Sequence, residues 1–171
     1  YQVARMAGFE VVVADDRETY ANRERFPEAR EIHAEEFDRV LEKLEPNESS
    51  FVVIVTRGHR DDMRVLRWAV ETRALYLGMI GSERKMITVS RELEKAGVPR
   101  AKLERVFSPV GLDIGAVTPE EIAVAIVAEM IAVRRHATSP LPHLRYIARH
   151  RGEDPESDAG LSQDLTHVEE T

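Results

Sequence analysis

The sequence predicts an α/β fold: a doubly wound, mostly parallel sheet with helices on both faces. Two observations carry this. The apolar runs at 9–14 and 51–56 are rich in β-branched residues and are continuous rather than alternating, the pattern of strands covered on both sides. They alternate with longer stretches whose apolar residues recur every three or four positions, and such alternation builds right-handed strand–helix–strand units.

The elements follow in order. Residues 1–8 read as the end of a helix. Residues 9–14 (Phe-Glu-Val-Val-Val-Ala) read as a strand ending at Asp15-Asp16, and Glu31-Ile32-His33 as a short further strand. Residues 34–44 place Phe37, Val40, Leu41 and Leu44 on one helical face. Residues 51–56 form the next strand, and 61–72 a helix with Met63, Leu66, Ala69 and Val70 on one side. Residues 74–80 form a strand, and 82–96 a helix stopped by Gly97 and Pro99. Residues 106–110 are a weaker strand. The segment 118–135 carries the clearest local signal: Thr118 as N-cap, Pro119 at the first helical position, and Glu121 three residues after the cap, a capping box. From Ile122 to Val133 this helix is apolar nearly all round, so it is buried against the sheet and a neighbour or in a subunit interface.

Composition narrows the function classes. A chain of 171 residues suits one domain, or one domain plus a tail. With 43% hydrophobic and 32% charged residues the balance is that of a soluble protein, not a disordered chain or a fibre. The absence of cysteine excludes a disulfide scaffold, a thiolate zinc or iron–sulfur site and a cysteine nucleophile within this stretch. A net charge of −7 argues against binding to a nucleic-acid backbone. No apolar run approaches the roughly 18 residues of a membrane span. The start lacks a signal-peptide pattern, so the default location is the cytoplasm. Between residues 137 and 171 three arginines face seven acids, and apolar residues thin out after 151. The expected organisation is a domain at 1–136, a short helical extension at 137–150 and a disordered acidic tail at 151–171.

A doubly wound dinucleotide fold also needs a first strand, a Gly-x-Gly-x-x-Gly turn and a helix whose N-terminus holds pyrophosphate. Residues 1–8 read as the end of that helix, so the first strand and its glycine turn are missing and the stretch reads as N-terminally truncated. In the usual strand order 3-2-1-4-5-6 the missing strand is central. The sheet should therefore be split, and the stretch by itself should not fold stably.

Four places can carry chemistry. Asp15 and Asp16 stand where an acid bonds a ribose 2′-hydroxyl, although strands also end in Asp for turn reasons. Arg17 beside them could take a 2′-phosphate, but the adjacent acids repel one. After the strand at 51–56, Arg57 and His59 offer donors around Gly58, which permits close backbone approach; Asp61 or Asp62 can cap the next helix. A plain loop with an N-cap explains the acids but not Arg57 and His59. After the strand at 74–80 come Gly81, a Ser82 cap, and Arg84 and Lys85 in the first helical turn, where the helix dipole disfavours cations. A phosphate or carboxylate held by Gly81, Ser82, Lys85 and free backbone N–H groups offsets that; the competing reading is a solvated basic turn. Asp113, in the glycine-punctuated loop 109–116, is a site acid or a loop acid bonding nearby N–H groups. Glu129 inside the apolar helix needs a partner, an ion pair or a polar edge. His33, His136, His143, His150 and His167 show no metal spacing. No catalytic residue and no metal site can be assigned.

Four segments then resemble a known family in sequence order: Val13-Ala14-Asp15-Asp16-Arg17; Thr56-Arg57-Gly58-His59 with Asp62; Gly78-Met79-Ile80-Gly81-Ser82-x-Arg84-Lys85; and Pro109-Val110-Gly111-Leu112-Asp113-Ile114-Gly115-Ala116-x-Thr118-Pro119-Glu120-Glu121-Ile122-Ala123. They are similar to the C-terminal Rossmann domain of the XdhC/CoxI family, from about residue 1 to 136; the remainder matches nothing. The resemblance implies a maturation chaperone that binds the molybdenum–pterin cofactor (molybdopterin) and delivers it to xanthine dehydrogenase or a related molybdenum hydroxylase. It also implies a homodimer, with a cysteine desulfurase as a further partner. Ser82, Lys85 and nearby amides would hold the cofactor's phosphate, Arg57 and His59 would line the pterin side, and Asp113 would bond pterin nitrogens. The family's glycine-rich turn and its N-terminal segment with a cysteine motif have no counterpart here, and both absences fit truncation. Two alternatives stand beside this reading: an NAD(P)-dependent oxidoreductase, and a non-catalytic dimerisation or partner-binding module using the 122–133 helix.

Overall fold

The computed structural model describes residues 1–137. In chain order the elements are α1 (Gln2–Met6), β1 (Val12–Asp15), β2 (Glu31–Ala34), α2 (Phe37–Lys43), β3 (Phe51–Ile54), α3 (His59–Ala69), β4 (Tyr76–Met79), α4 (Glu83–Lys95), α5 (Arg100–Leu103), β5 (Val106–Phe107) and α6 (Pro119–Arg134). The helical extension expected at 137–150, save its first residue, and the acidic tail expected at 151–171 lie outside the described residues.

Among the described residues every strand pairing is parallel, and the strands fall into two separate sheets, as the sequence led us to expect. β1 pairs with β2, Val13 opposite Ile32, while β3, β4 and β5 form a second sheet in that order, with Val52 opposite Leu77 and Leu77 opposite Val106. Side-chain contacts span the gap at both ends of the strands. Phe9 meets Phe51 edge-on at 5.2 Å near the strands' amino ends, and Arg57 donates to Asp16 at 3.3 Å at their carboxyl ends.

The three-stranded sheet is covered on both faces, which is why its runs do not alternate. Ile54, Leu77, Met79 and Val106 point to one side and pack with Leu66 of α3 and Met86, Val89 and Leu93 of α4. Phe51, Val53, Tyr76 and Phe107 point to the other and pack with Ala4 of α1 and Val127 and Met130 of α6. On that second face Phe9, Phe51, Tyr76 and Phe107 form a row of rings with centroids 5.2, 5.7 and 4.8 Å apart. Full burial of each such side chain stabilises by about 1.5–3 kcal/mol.

Element bounds move for local reasons. The strand expected from residue 9 starts at Val12, because Phe9 is used to close α1. Its N–H donates to the Ala4 carbonyl and that of Gly8 to Arg5, a Schellman-type ending. Ala34 ends β2, so α2 starts only at Phe37. Helix α3 starts two residues before the expected 61, at His59. The four-residue α5 is too short to show periodicity. Both expected caps form. The Ser82 hydroxyl accepts from the Lys85 N–H at 3.3 Å, and Thr118 and Glu121 make the full capping box. The Glu121 carboxylate accepts from the Thr118 and Val117 N–H groups, and these bonds hold its carboxyl below the usual range.

Candidate functional site

In parallel α/β sheets the carboxyl ends of the strands, with the helix N-termini that follow them, form the ligand-binding edge. Here the loops after β3, β4 and β5 lie side by side, and the Arg57–Asp16 contact ties the end of β1 to them.

The β3–α3 turn depends on Gly58. It is the N-cap of α3 with φ +98°, a conformation that favours glycine. Neither Asp61 nor Asp62 caps this helix, contrary to the sequence expectation, because the helix begins early enough to put both inside its first turn. Asp62 instead points inward and is completely buried. Its Oδ1 accepts from the Thr56 hydroxyl at 2.5 Å, and its Oδ2 is ion-paired with the Lys85 ammonium.

Lys85 reaches Asp62 across the start of its own helix. A Cβ on Gly81 would stand 2.9 Å from Lys85 Cδ, so the bare glycine leaves room for the lysine stem. The dipole argument asked for an anion beside this lysine, and in this structure the chain supplies one in Asp62. Arg57, half-exposed, pairs with Asp16 at 3.3 Å. His59 Nε2 lies 2.7 Å from Glu92 Oε2, bridging α3 and α4. Arg17 binds both oxygens of Asp15, at 2.8 and 3.0 Å, and its N–H adds a third bond at 3.0 Å. Those bonds, the guanidinium first, hold the Asp15 carboxyl below its usual range. Arg17, Arg57, His59 and Lys85 therefore each have a carboxylate partner.

Asp113 is exposed in the loop after β5, one strand further along the edge. That loop is pinned from α6: the Gly111 N–H donates to Glu129 Oε2 at 3.0 Å and the Leu112 N–H to the Ala125 carbonyl at 3.2 Å. Glu129, fully buried, also accepts from the Tyr76 hydroxyl at 2.6 Å. Burial, then the neighbouring carboxylate, pushes the Tyr76 phenol far above its usual range.

The structure thus brings Gly81, Ser82 and Lys85 together, and Arg57 with Asp16. It turns His59 toward α4 and sets Asp113 one loop away. Sequence reading missed Asp62 as the partner of Lys85 and Thr56 as the partner of Asp62. A signal existed: Asp62 lies in line with Leu66 and Ala69 on the buried face of α3, an acid where an apolar residue belongs. Among the described residues no group of three or more His, Asp or Glu could hold a metal ion, and no helix is long and apolar enough to cross a membrane.

Parallel strands covered on both faces, with polar loops at their carboxyl ends, define a Rossmann-like α/β domain. Residues 1–130 match the XdhC Rossmann domain, and the chain belongs to that family. It is 36% identical over 141 residues to the YqeB protein of Escherichia coli, covering 82% of this chain and 26% of that protein. It is 31% identical over 133 residues to a Bacillus subtilis protein described as a probable xanthine dehydrogenase subunit, covering 78% of this chain and 38% of that one. A Bacillus halodurans protein whose crystal structure is described as that of a xanthine dehydrogenase superposes with a TM-score of 0.69 at 33% identity, over 81% of this chain and 40% of that protein. The chain spans between about a quarter and two fifths of the length of these relatives.

Proposed function

We propose that this domain belongs to a cytoplasmic maturation factor for a molybdenum hydroxylase such as xanthine dehydrogenase, and that it binds the molybdenum–pterin cofactor at the carboxyl edge of β3, β4 and β5. The observation that carries the reading is the start of α4. Ser82 caps it, the bare Gly81 leaves room for the Lys85 stem, and Lys85 is held there by a buried acid. The donor set fits the group. A phosphate takes the free N–H groups of the first helical turn, the serine hydroxyl and the ammonium. An ammonium has three donors, so an ion pair with Asp62 leaves donors for a ligand. Arg57 and Asp113 stand on neighbouring loops where a pterin ring would need donors and an acceptor. When bound, the cofactor supplies the molybdenum centre that the recipient enzyme uses; this chain's residues bind and orient it. A homodimer and a cysteine desulfurase partner belong to the same proposal.

The relatives named for xanthine dehydrogenase support the family context. The test is to purify the full-length protein from cells that make molybdenum cofactor and to measure molybdenum and oxidised-pterin fluorescence. Near-stoichiometric amounts of both are expected. Lys85→Glu, with the fold checked by circular dichroism, should weaken binding by about 3 kcal/mol, roughly a hundredfold. Unchanged affinity sinks the assignment. A nicotinamide nucleotide bound in place of the pterin moves the reading to an NAD(P)-dependent oxidoreductase with Asp15 or Asp16 on the ribose, which would require Arg17 to release Asp15.

A further inference from the structure

We infer that Asp62 is the positioning residue of this site: it holds the Lys85 ammonium at the edge through an ion pair, so that the lysine meets an anionic ligand while still paired with Asp62. The inference rests on the anion-binding reading above.

Three elements converge on one carboxylate. Asp62 rises from α3, Thr56 at the end of β3 bonds one of its oxygens at 2.5 Å, and Lys85 of α4 pairs with the other. Asp62 is 0% exposed, whereas the Lys85 side chain is 27% exposed. The acid is thus inside the protein and the lysine runs from it to the surface. A buried carboxylate cannot follow a ligand outward, and leaving it unpaired is strongly unfavourable. Lys85 therefore does not swing away when an anion arrives; its positive charge stays paired with Asp62 while it faces the ligand. Thr56 stops the carboxylate from rotating, and Gly81 removes the one Cβ that would block the lysine stem. The cation is presented in one direction before any ligand is present, and a pre-ordered donor loses less freedom on binding than a mobile surface lysine.

Inorganic pyrophosphate is a suitable probe, titrated calorimetrically into the full-length protein and its Lys85→Met, Asp62→Asn and double variants. If Asp62 acts through Lys85, each single variant binds at least tenfold more weakly than wild type, and the double variant binds no more weakly than Lys85→Met. Thr56→Val, which leaves both charges in place, loses less, in the same direction. Tighter binding by Asp62→Asn means the acid competes with the ligand. An equal loss from Asp62→Asn in the presence and absence of Lys85 means a merely structural role. Either result overturns the inference and leaves the anion site standing. No binding by wild type overturns the anion reading and this role with it. A ligand-free arm reads the pair directly: in 15N spectra the Lys85 ammonium should be slow to exchange in wild type and fast in Asp62→Asn. An ammonium equally mobile in both refutes the positioning.

Discussion

Tyr76→Phe removes one oxygen atom from the centre of the molecule, and its consequence can be worked out in advance. The hydroxyl donates to Glu129 Oε2 at 2.6 Å, and both residues are fully buried, so water cannot replace the lost bond. The ring row and the sheet packing are unaffected, because Phe keeps the ring. What changes is that a buried carboxylate loses a donor. Hydrogen bonds to charged groups contribute about 1.5–3 kcal/mol, and the solvation penalty of the abandoned acceptor falls in the same range. Hydrogen exchange on the full-length protein is the assay of choice, since it reads local opening free energy without requiring a two-state melt. At roughly 1.4 kcal/mol per factor of ten, protection in β4 and α6 should fall by about ten- to a hundredfold. The Gly111 amide, which shares the carboxylate at 3.0 Å, should be among those that loosen. Protection within a factor of two of wild type would show that Glu129 does not depend on Tyr76 and would refute the account of this cluster.

Arg57→Ala should change stability by less than about 1 kcal/mol, because its pair with Asp16 is largely solvated; a larger loss of cofactor affinity then marks Arg57 as a ligand-binding residue, and unchanged affinity removes it from the site. Arg17 depresses the Asp15 carboxyl from its ordinary 3.8, so this pair stabilises the fold above the ordinary carboxylate range and ceases to do so as pH falls through the lowered folded-state value. Comparing acid unfolding of wild type and Arg17→Met should show a small gap at neutral pH that closes in acid; a gap that widens in acid contradicts the assignment. In the 171-residue chain by itself, β1 and β3 each lack a partner on one side while β4 is paired on both, so amides of β4 should exchange at least tenfold more slowly. Equal protection in all three strands would contradict the split sheet.

The fold was legible because its signals are local or periodic. Continuous β-branched runs marked β1 and β3, three- and four-residue spacing marked α2 and α3, the Ser82 cap and the Gly97 and Pro99 stop marked α4, and the Thr118 capping box fixed the start of α6 to the residue. The strand ends were less legible: Phe9 looks like strand, and only the Gly8 turn shows that it closes α1. The candidate residues were found by type and position, but their pairings were not. The helix dipole led the sequence reading to a bound phosphate or carboxylate beside Lys85, with a solvated basic turn as the alternative. That reading could not say that Asp62, 23 residues away on another helix, provides the anion. Likewise Glu129 was known to need a partner, but that Tyr76 and Gly111 donate to it depends on how β4, α6 and the loop after β5 pack together, and no spacing records that.

Two buried acids now explain one edge. Asp62 lies on α3, whose apolar face packs with α4 on one side of the sheet, and Glu129 lies on α6 on the other side, and each helps to hold the loops of this edge. Asp62 anchors Thr56 after β3 and Lys85 after β4; Glu129 anchors Gly111 after β5. A ligand edge made of loops is mobile by default. Here its three loops are fixed from opposite faces by groups that cost free energy to bury and are satisfied only when the loops are in place. The edge is therefore shaped before a ligand arrives, as precise binding requires. The two anchors are separable by experiment: Tyr76→Phe should loosen the Asp113 loop and leave Lys85 ordered, whereas Asp62→Asn should free Lys85 and leave Gly111 protected. If either substitution loosened both loops, the edge would be one cooperative unit rather than two independently pinned halves.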